Sequence, residues 1–226
     1  MTLADSQAPA RRLLDVVFVV DCSGSMSGER IGALNWAART VLPTLRAHAE
    51  EHPEVELRIR VLRFATGAAF ATAGPEPVRH FVWTSLAAAG ESDMGAAFRL
   101  LGQALGEGGT GDETLPPVVV LFSDGYPSDD AEEALEALLA SEAGARAIRI
   151  PIAIGQDADM SLLRRFSSEP AQPPLRSHDV EMLVGRMRWV VAGPVAKALS
   201  EATEPAHSHG PAKTSDGKPA EDEDIW

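Results

Sequence analysis

Two stretches of this chain are apolar at almost every position, are too short to cross a membrane, and run straight into an aspartate. Leu13 to Asp21 reads LLDVVFVVD, and Pro117 to Phe122 reads PVVVLF and continues as Ser123-Asp124-Gly125. Continuous runs of β-branched side chains suit strands covered on both faces, which is the setting of central strands in a parallel sheet. A carboxylate at the end of such a strand lies where the sheet stops and the loops begin. These two runs therefore fix both the middle of the fold and the end of it where polar chemistry collects.

The rest of the chain alternates strand and helix around them. After the Ser/Gly-rich loop Ser23–Gly28, apolar residues Ile31, Leu34, Ala38, Val41, Leu42 and Leu45 recur at helical spacing, which predicts an amphipathic helix over Glu29–Glu50 with Pro43 inside it. Val55 to Phe64 alternates apolar and charged residues, so this strand belongs away from the middle of the sheet. Phe70 and Val78–Trp83 give weaker strand signals on either side of a Gly74-Pro75 turn, and Met94–Leu105 returns to a helical period. The glycine-rich stretch Gly106–Gly111 reads as a loop. Ala131–Glu142 reads as a helix with Asp129 or Asp130 at its start, where a carboxylate suits the open amides. Ile148 to Ile154 alternates again, and Pro151 places that strand near a sheet edge. Further helices are expected over Met160–Ser167 and Val180–Leu199, the second interrupted at Gly193-Pro194.

Strands alternating with helices through short connections imply a doubly wound α/β fold, a mostly parallel Rossmann-like sheet flanked by helices on both faces. Its functional crevice is expected at the carboxyl ends of the strands. The 226 residues are 45% hydrophobic and 23% charged, which fits one globular domain over residues 13–200. Residues 1–12 read as a disordered lead. Residues 201–226 hold seven acids and two lysines and read as an acidic disordered tail that closes on Ile225-Trp226.

A net charge of -13 argues against a protein that coats nucleic acid or an anionic membrane, because it would work against its own field. The single cysteine, Cys22, excludes an internal disulfide framework and a multi-cysteine zinc site. With no secretory or membrane-spanning segment legible, a cytoplasmic location is expected.

Chemistry concentrates in Asp21-Cys22-Ser23-Gly24-Ser25, at the turn between the first buried strand and the first helix. Asp21, Ser23 and Ser25 alternate and can turn their oxygens toward one point. Ser92, in Gly90-Glu91-Ser92-Asp93-Met94-Gly95, offers another hydroxyl ahead of a helix, and Asp124 ends the second buried strand. Together these five form a candidate oxygen-only cation site. The plainer alternative is that the hydroxyls and the carboxylate cap the helix and form a turn.

This pattern resembles the von Willebrand factor type A domain and its metal-ion-dependent adhesion site, written D-x-S-x-S, then a threonine, then an aspartate in a later loop. Val118–Pro127, read as VVVLFSDGYP and followed by Asp129-Asp130, is similar to the bacterial tellurium-resistance TerY-like branch. The resemblance implies that Ser23 and Ser25 ligate a metal directly, that Asp21 and Asp124 bind it directly or through water, and that Ser92 stands in for the threonine. Ser92 keeps the hydroxyl and lacks the methyl that limits rotamers. Two carboxylates balance a divalent ion and the other protein ligands are neutral, so the ion still attracts an anion, and an Asp or Glu of a partner protein completes its shell. Hard oxygen ligands favour Mg²⁺, with Mn²⁺ or Ca²⁺ as alternatives.

Neighbouring residues have plainer readings. Cys22 points away from Asp21 and Ser23 as a small buried hydrophobe. Glu91 and Asp93 are solvated loop positions, His207 and His209 are incidental in the tail, Trp36 and Trp83 pack on helix or strand faces, and Trp189, within the last helix, likewise reads as core. Trp226 is either an accidental terminus or an apolar anchor steered by the preceding acids.

The leading function is a noncatalytic, metal-dependent protein-interaction module. The resemblance implies a bacterial stress-response adaptor with a protein kinase, a PP2C-type phosphatase or another operon-encoded protein as partner. The alternatives are a Mg²⁺-dependent phosphatase or hydrolase, and a subunit of a MoxR or chelatase-type AAA+ assembly. Hydrolysis is disfavoured because the first strand leads to D-x-S where a D-x-D pair is needed, and no G-x-S-x-G elbow or phosphate-binding glycine loop follows it.

Overall fold

A computed structural model describes residues 11–108, 113–169 and 173–203. The expected disordered lead up to residue 10, the tail from residue 204 with His207, His209 and Trp226, and Gly109–Gly111 lie outside the described residues.

The described residues form a seven-stranded sheet. In chain order the elements are β1 (Arg12–Asp21), α1 (Glu29–Glu51), β2 (Val55–Ala65), β3 (Gly67–Phe70), β4 (Glu76–Pro77), α2 (Met94–Glu107), β5 (Val118–Ser123), α3 (Ala131–Ala140), α4 (Glu142–Arg146), β6 (Ile148–Ile154), α5 (Ser161–Phe166), β7 (Leu175–Ser177), α6 (Val180–Val190) and α7 (Ala196–Thr203). The strand order is β3-β2-β1-β5-β6-β7, with β4 on β2. The β2-β1-β5-β6-β7 pairs are parallel, and β3 and β4 run antiparallel to β2. This is the doubly wound α/β arrangement, and the two valine-rich runs are its neighbouring central strands.

Both faces of β1 and β5 are covered, and the alternation along them sorts side chains into two cores. Val16, Phe18, Val20, Val118, Val120 and Phe122 pack under α1 and α6. Val17, Val19, Val119 and Leu121 pack under α2, α3 and α5. Burying a Val or Phe side chain completely is worth about 1.5–3 kcal/mol, which makes this pair of layers the main source of stability. In β6, the Ile148 amide donates to Pro117 on the β5 side, whereas that of Arg149 donates to Ser168 on the other. By alternation the nitrogen of Pro151 also faces away from β5, and β7 pairs only from Ile152 onward, so its missing N–H breaks no ladder bond.

Several expectations need correction. β1 begins at Arg12, inside the stretch read as a lead. Val78–Trp83 is not a strand: a turn follows the two-residue β4, and the segment is held by its buried Val78, Phe81 and Trp83 and by Asn35 of α1. The Asn35 amide oxygen accepts from Trp83 Nε1 at 2.9 Å and from the Leu86 amide at 2.8 Å, and its nitrogen donates to the Leu86 carbonyl at 2.8 Å. Gly106 continues α2 rather than opening a loop. Ser141 separates α3 from α4 by capping Gly144. β7 gave no legible signal in three residues. Trp36 and Trp189 are about half exposed, not core. The last helix breaks where Gly193-Pro194 places it, through a π turn over Val191–Val195. Among the described residues no helix is long and apolar enough to cross a membrane.

Candidate metal centre

The strand period decides which way the two terminal aspartates face. Asp21 lies two residues beyond Val19 and so faces the α2 side, while Cys22 packs in the opposite core with Val20. On β5, Ser123 follows Leu121 onto the same face as Asp21, and the register sets Val20 against Phe122. The two polar ends therefore meet: Ser123 Oγ donates to Asp21 Oδ2 at 2.7 Å. Ser92 Oγ reaches the same oxygen at 3.3 Å, and the Ser23 amide donates to Asp21 Oδ1 at 2.9 Å. Asp21 is fully buried. Burial pushes its carboxyl above the ordinary range, the hydrogen bonds from Ser23 and Ser123 pull it back, and the nearby charge of Asp124 adds to the rise.

Ser23 precedes a single 3-10 turn over Gly24–Met26 and Ser25 lies within it, and their hydroxyls face each other at 3.0 Å. Neither the turn nor α1 receives a side-chain cap, and the residue at the start of α1 is Gly28 with φ +73°. The capping alternative therefore does not account for these two hydroxyls. Gly24 between them donates to the Gly90 carbonyl at 2.9 Å, which stitches the serine turn to the loop that carries Ser92.

That loop is in turn clasped by the one after Asp124. The Ser92 amide donates to Ser128 Oγ and the Ser128 amide returns to the Ser92 carbonyl, both at 2.9 Å. Asp93 is a tie rather than a solvated loop residue, because its carboxylate accepts from the Gly67 amide at 2.7 Å and from Ser128 Oγ at 3.2 Å. Asp129 caps a helix, but not the one it precedes. Its two oxygens take the Gly95 and Ala96 amides of α2 at 2.8 and 2.9 Å. Asp130, at the start of α3, makes no side-chain cap.

Asp124 lies on the α1 side of the sheet end and is 1% exposed. Its Oδ2 accepts from Arg30 Nη1 at 3.2 Å, and Arg30 Nη2 donates to Asp157 Oδ1 at 2.6 Å. Its Oδ1 is buried with no hydrogen-bond partner. A buried carboxylate oxygen left unpaired is costly and calls for a donor or a cation. Beside Arg30 and Asp157, between the first turns of α1 and α6, a cleft of about 750 Å³ opens over the ends of β6 and β7.

Asp21, Ser23, Ser25, Ser92 and Asp124 thus come from three loops to one end of the sheet. Among the described residues no group of three or more His, Cys, Asp or Glu side chains is placed to hold a metal. A set of two carboxylates and three hydroxyls suits a small, hard divalent ion that retains water, and the unpaired Asp124 Oδ1 fits such an ion. The thiol of Cys22 is pushed up to about 12, mainly by burial and then by the charge of Asp21, and packs as an inert apolar group. Sequence reasoning missed Ser123, Arg30, Asp157 and Ser128. Only Ser123 carried a signal, its position beside Asp124 at the end of a strand that neighbours β1.

The von Willebrand factor type A domain model matches residues 15–184. No curated protein sequence matches the chain. Among solved structures, a von Willebrand factor type A protein from Catenulispora acidiphila aligns at TM-score 0.60 with 18% identity, over 80% of this chain and 42% of that one. The ArnB paralog VWA2 from Sulfolobus acidocaldarius aligns at 0.57 with 15% identity, over 77% and 44%. The pilus adhesin SpaC from Lactobacillus rhamnosus GG, in an open conformation, aligns at 0.61 with 13% identity, over 85% and 30%. The chain spans less than half the length of these three, and at such identities the likeness establishes the fold alone.

Proposed function

Because the chain belongs to the von Willebrand factor type A family, we propose that it is a metal-dependent protein-interaction module whose centre is formed by Asp21, Ser23, Ser25, Ser92 and Asp124. The observation that carries this reading is the buried Asp124 Oδ1, unpaired and near a second buried carboxylate, Asp21. Mg²⁺, or Mn²⁺ or Ca²⁺ in its place, supplies when bound a coordination position that an external carboxylate can fill. Asp21 and Asp124 supply the charge that holds the ion. Ser23 and Ser25 present hydroxyls free of capping duty, and Ser92 is held in place through Ser128. The partner is a protein with an exposed Asp or Glu, and the cleft beside Arg30 leaves room for the segment around that acid.

The module acts without chemistry of its own. Ser23 Oγ meets Ser25 Oγ, and Ser92 and Ser123 donate to Asp21, so none of these hydroxyls is set against a histidine base. The VVVLFSDGYP pattern supports a place in the TerY-like branch, as a cytoplasmic adaptor in a bacterial stress-response system whose partner is a kinase or a PP2C-type phosphatase. Calorimetric titration with Mg²⁺, and affinity capture with Mg²⁺, with EDTA and with Asp21→Ala, test this. The reading requires saturable uptake and a protein retained only by the wild type in Mg²⁺. No uptake at millimolar concentration overturns it.

A further inference from the structure

Arg30, the second residue of α1, is built into the site rather than lying loose beside it. Its guanidinium is held by Asp124 Oδ2 at 3.2 Å, by the Ser25 carbonyl at 3.4 Å and by Asp157 Oδ1 at 2.6 Å, and its side chain is 29% exposed. The backbone makes way for it. Gly155, at the end of β6, has φ +95°, and a Cβ there would stand 2.8 Å from Arg30 Nη2 and 2.7 Å from Asp157 Oδ1. A divalent ion needs none of this. The arrangement places a permanent cation on one of the two carboxylates available to the ion, and it leaves Asp124 Oδ1 as that residue's open oxygen.

The charges then sum differently from those of a plain two-aspartate site. Asp21 and Asp124 with Arg30 carry -1, and a divalent ion brings the cluster to +1, whereas without the guanidinium it would come to 0. Asp157 also pairs with the guanidinium, at 2.6 Å, and offsets part of its charge, but its side chain is 68% exposed and solvent screens that pairing. The guanidinium repels the ion across their shared carboxylate and attracts an arriving anion. Both effects favour binding of the two together over binding of the ion alone.

We propose that Arg30 is a fixed counter-ion that keeps the affinity of this centre for a divalent ion low and makes uptake strongly dependent on a carboxylate arriving with it. The inference rests on the metal-centre reading above and goes beyond it, since the ion and the acid become reciprocal ligands. The test is calorimetric titration of the full chain with Mn²⁺, with and without acetate as the carboxylate probe, for wild type, Arg30→Met and Arg30→Lys. Arg30→Met is expected to take Mn²⁺ roughly ten-fold more tightly in the absence of acetate, the scale of one charge at contact range in a partly exposed setting. The enhancement by acetate shrinks in that variant, while Arg30→Lys, which keeps the charge, stays close to wild type. In EDTA, Arg30→Met melts lower and the added Asp124→Asn restores the melting temperature. An arginine with a merely structural role would weaken Mn²⁺ binding in both single variants. Equal Mn²⁺ affinity of wild type and Arg30→Met, or an unchanged acetate effect, overturns the counter-ion proposal and leaves the metal centre standing. No uptake by any of the three proteins removes the metal centre and this proposal with it.

Discussion

Asp129→Ala removes a carboxylate that no ligand set includes, yet it should damage both the fold and the centre. The side chain is 19% exposed and accepts the Gly95 and Ala96 amides at 2.8 and 2.9 Å, two charge-assisted bonds to the open end of α2. The residue at the N-terminus of α2 itself, Asp93, offers that end no side-chain cap. Losing a helix cap costs about 0.5–2 kcal/mol, and a bidentate, largely buried cap belongs at the upper end, about 2 kcal/mol. The exposed Arg99 pairing at 3.5 Å adds little. For a domain of this size each kcal/mol lowers Tm by about 2–4 °C, so a loss of roughly 4–8 °C is expected in EDTA by calorimetry or circular dichroism. Asp130→Ala is the control, because that neighbour caps nothing with its side chain and should stay within about 0.5 kcal/mol of wild type. Mg²⁺ affinity should also fall in Asp129→Ala, since the clasp positions Ser92. If the two alanine variants melt together, or if Asp129→Ala melts within about 1 °C of wild type, the cross-loop cap is not a stabilising contact.

Three other outcomes follow from the same geometry. Mg²⁺ at about 100 times its Kd should stabilise the wild type by about 2.7 kcal/mol, reversibly with EDTA, and scanning calorimetry of Asp124→Asn should show no such gain. The folded-state carboxyl of Asp21 is raised, so the stability it contributes is present at pH below the ordinary carboxylate value and is lost as pH rises through the folded value. Asp21→Asn cannot ionise, and in EDTA its Tm advantage over wild type should therefore grow from about pH 4 to pH 7; a constant difference across that range counts against the burial argument. Cys22, with its thiol at about 12, should resist a thiol reagent at pH 8 in the folded protein and react on unfolding, whereas rapid labelling of the native state would contradict its packing.

The central strands were legible because a run of valines covered on both faces has few other readings, and the alternation at its end also gave the opposed directions of Asp21 and Cys22. The D-x-S-x-S spacing, Ser92 and Asp124 marked the end of the sheet at which the structure places them. What the sequence did not reveal depends on contacts between loops distant along the chain. Asp129 precedes one helix and caps another, a choice set by where the Ser92 loop lands, and local capping rules assign it to α3. Arg30 has no local motif, since its carboxylate partners lie 94 and 127 residues away. Val78–Trp83 has strand-like composition, but Asn35 and burial hold it as an irregular segment. Trp36 and Trp189 carry large apolar rings on exposed helix faces, which helical spacing alone did not distinguish from core positions.

Asp21 and Ser123 belong to one packed layer of the molecule, and Asp124 with Arg30 belongs to the other. The sheet keeps these two halves apart along its whole length, and at its carboxyl rim they share one small group of oxygens. The position of each oxygen at the rim therefore depends on the packing of both layers, not of one alone.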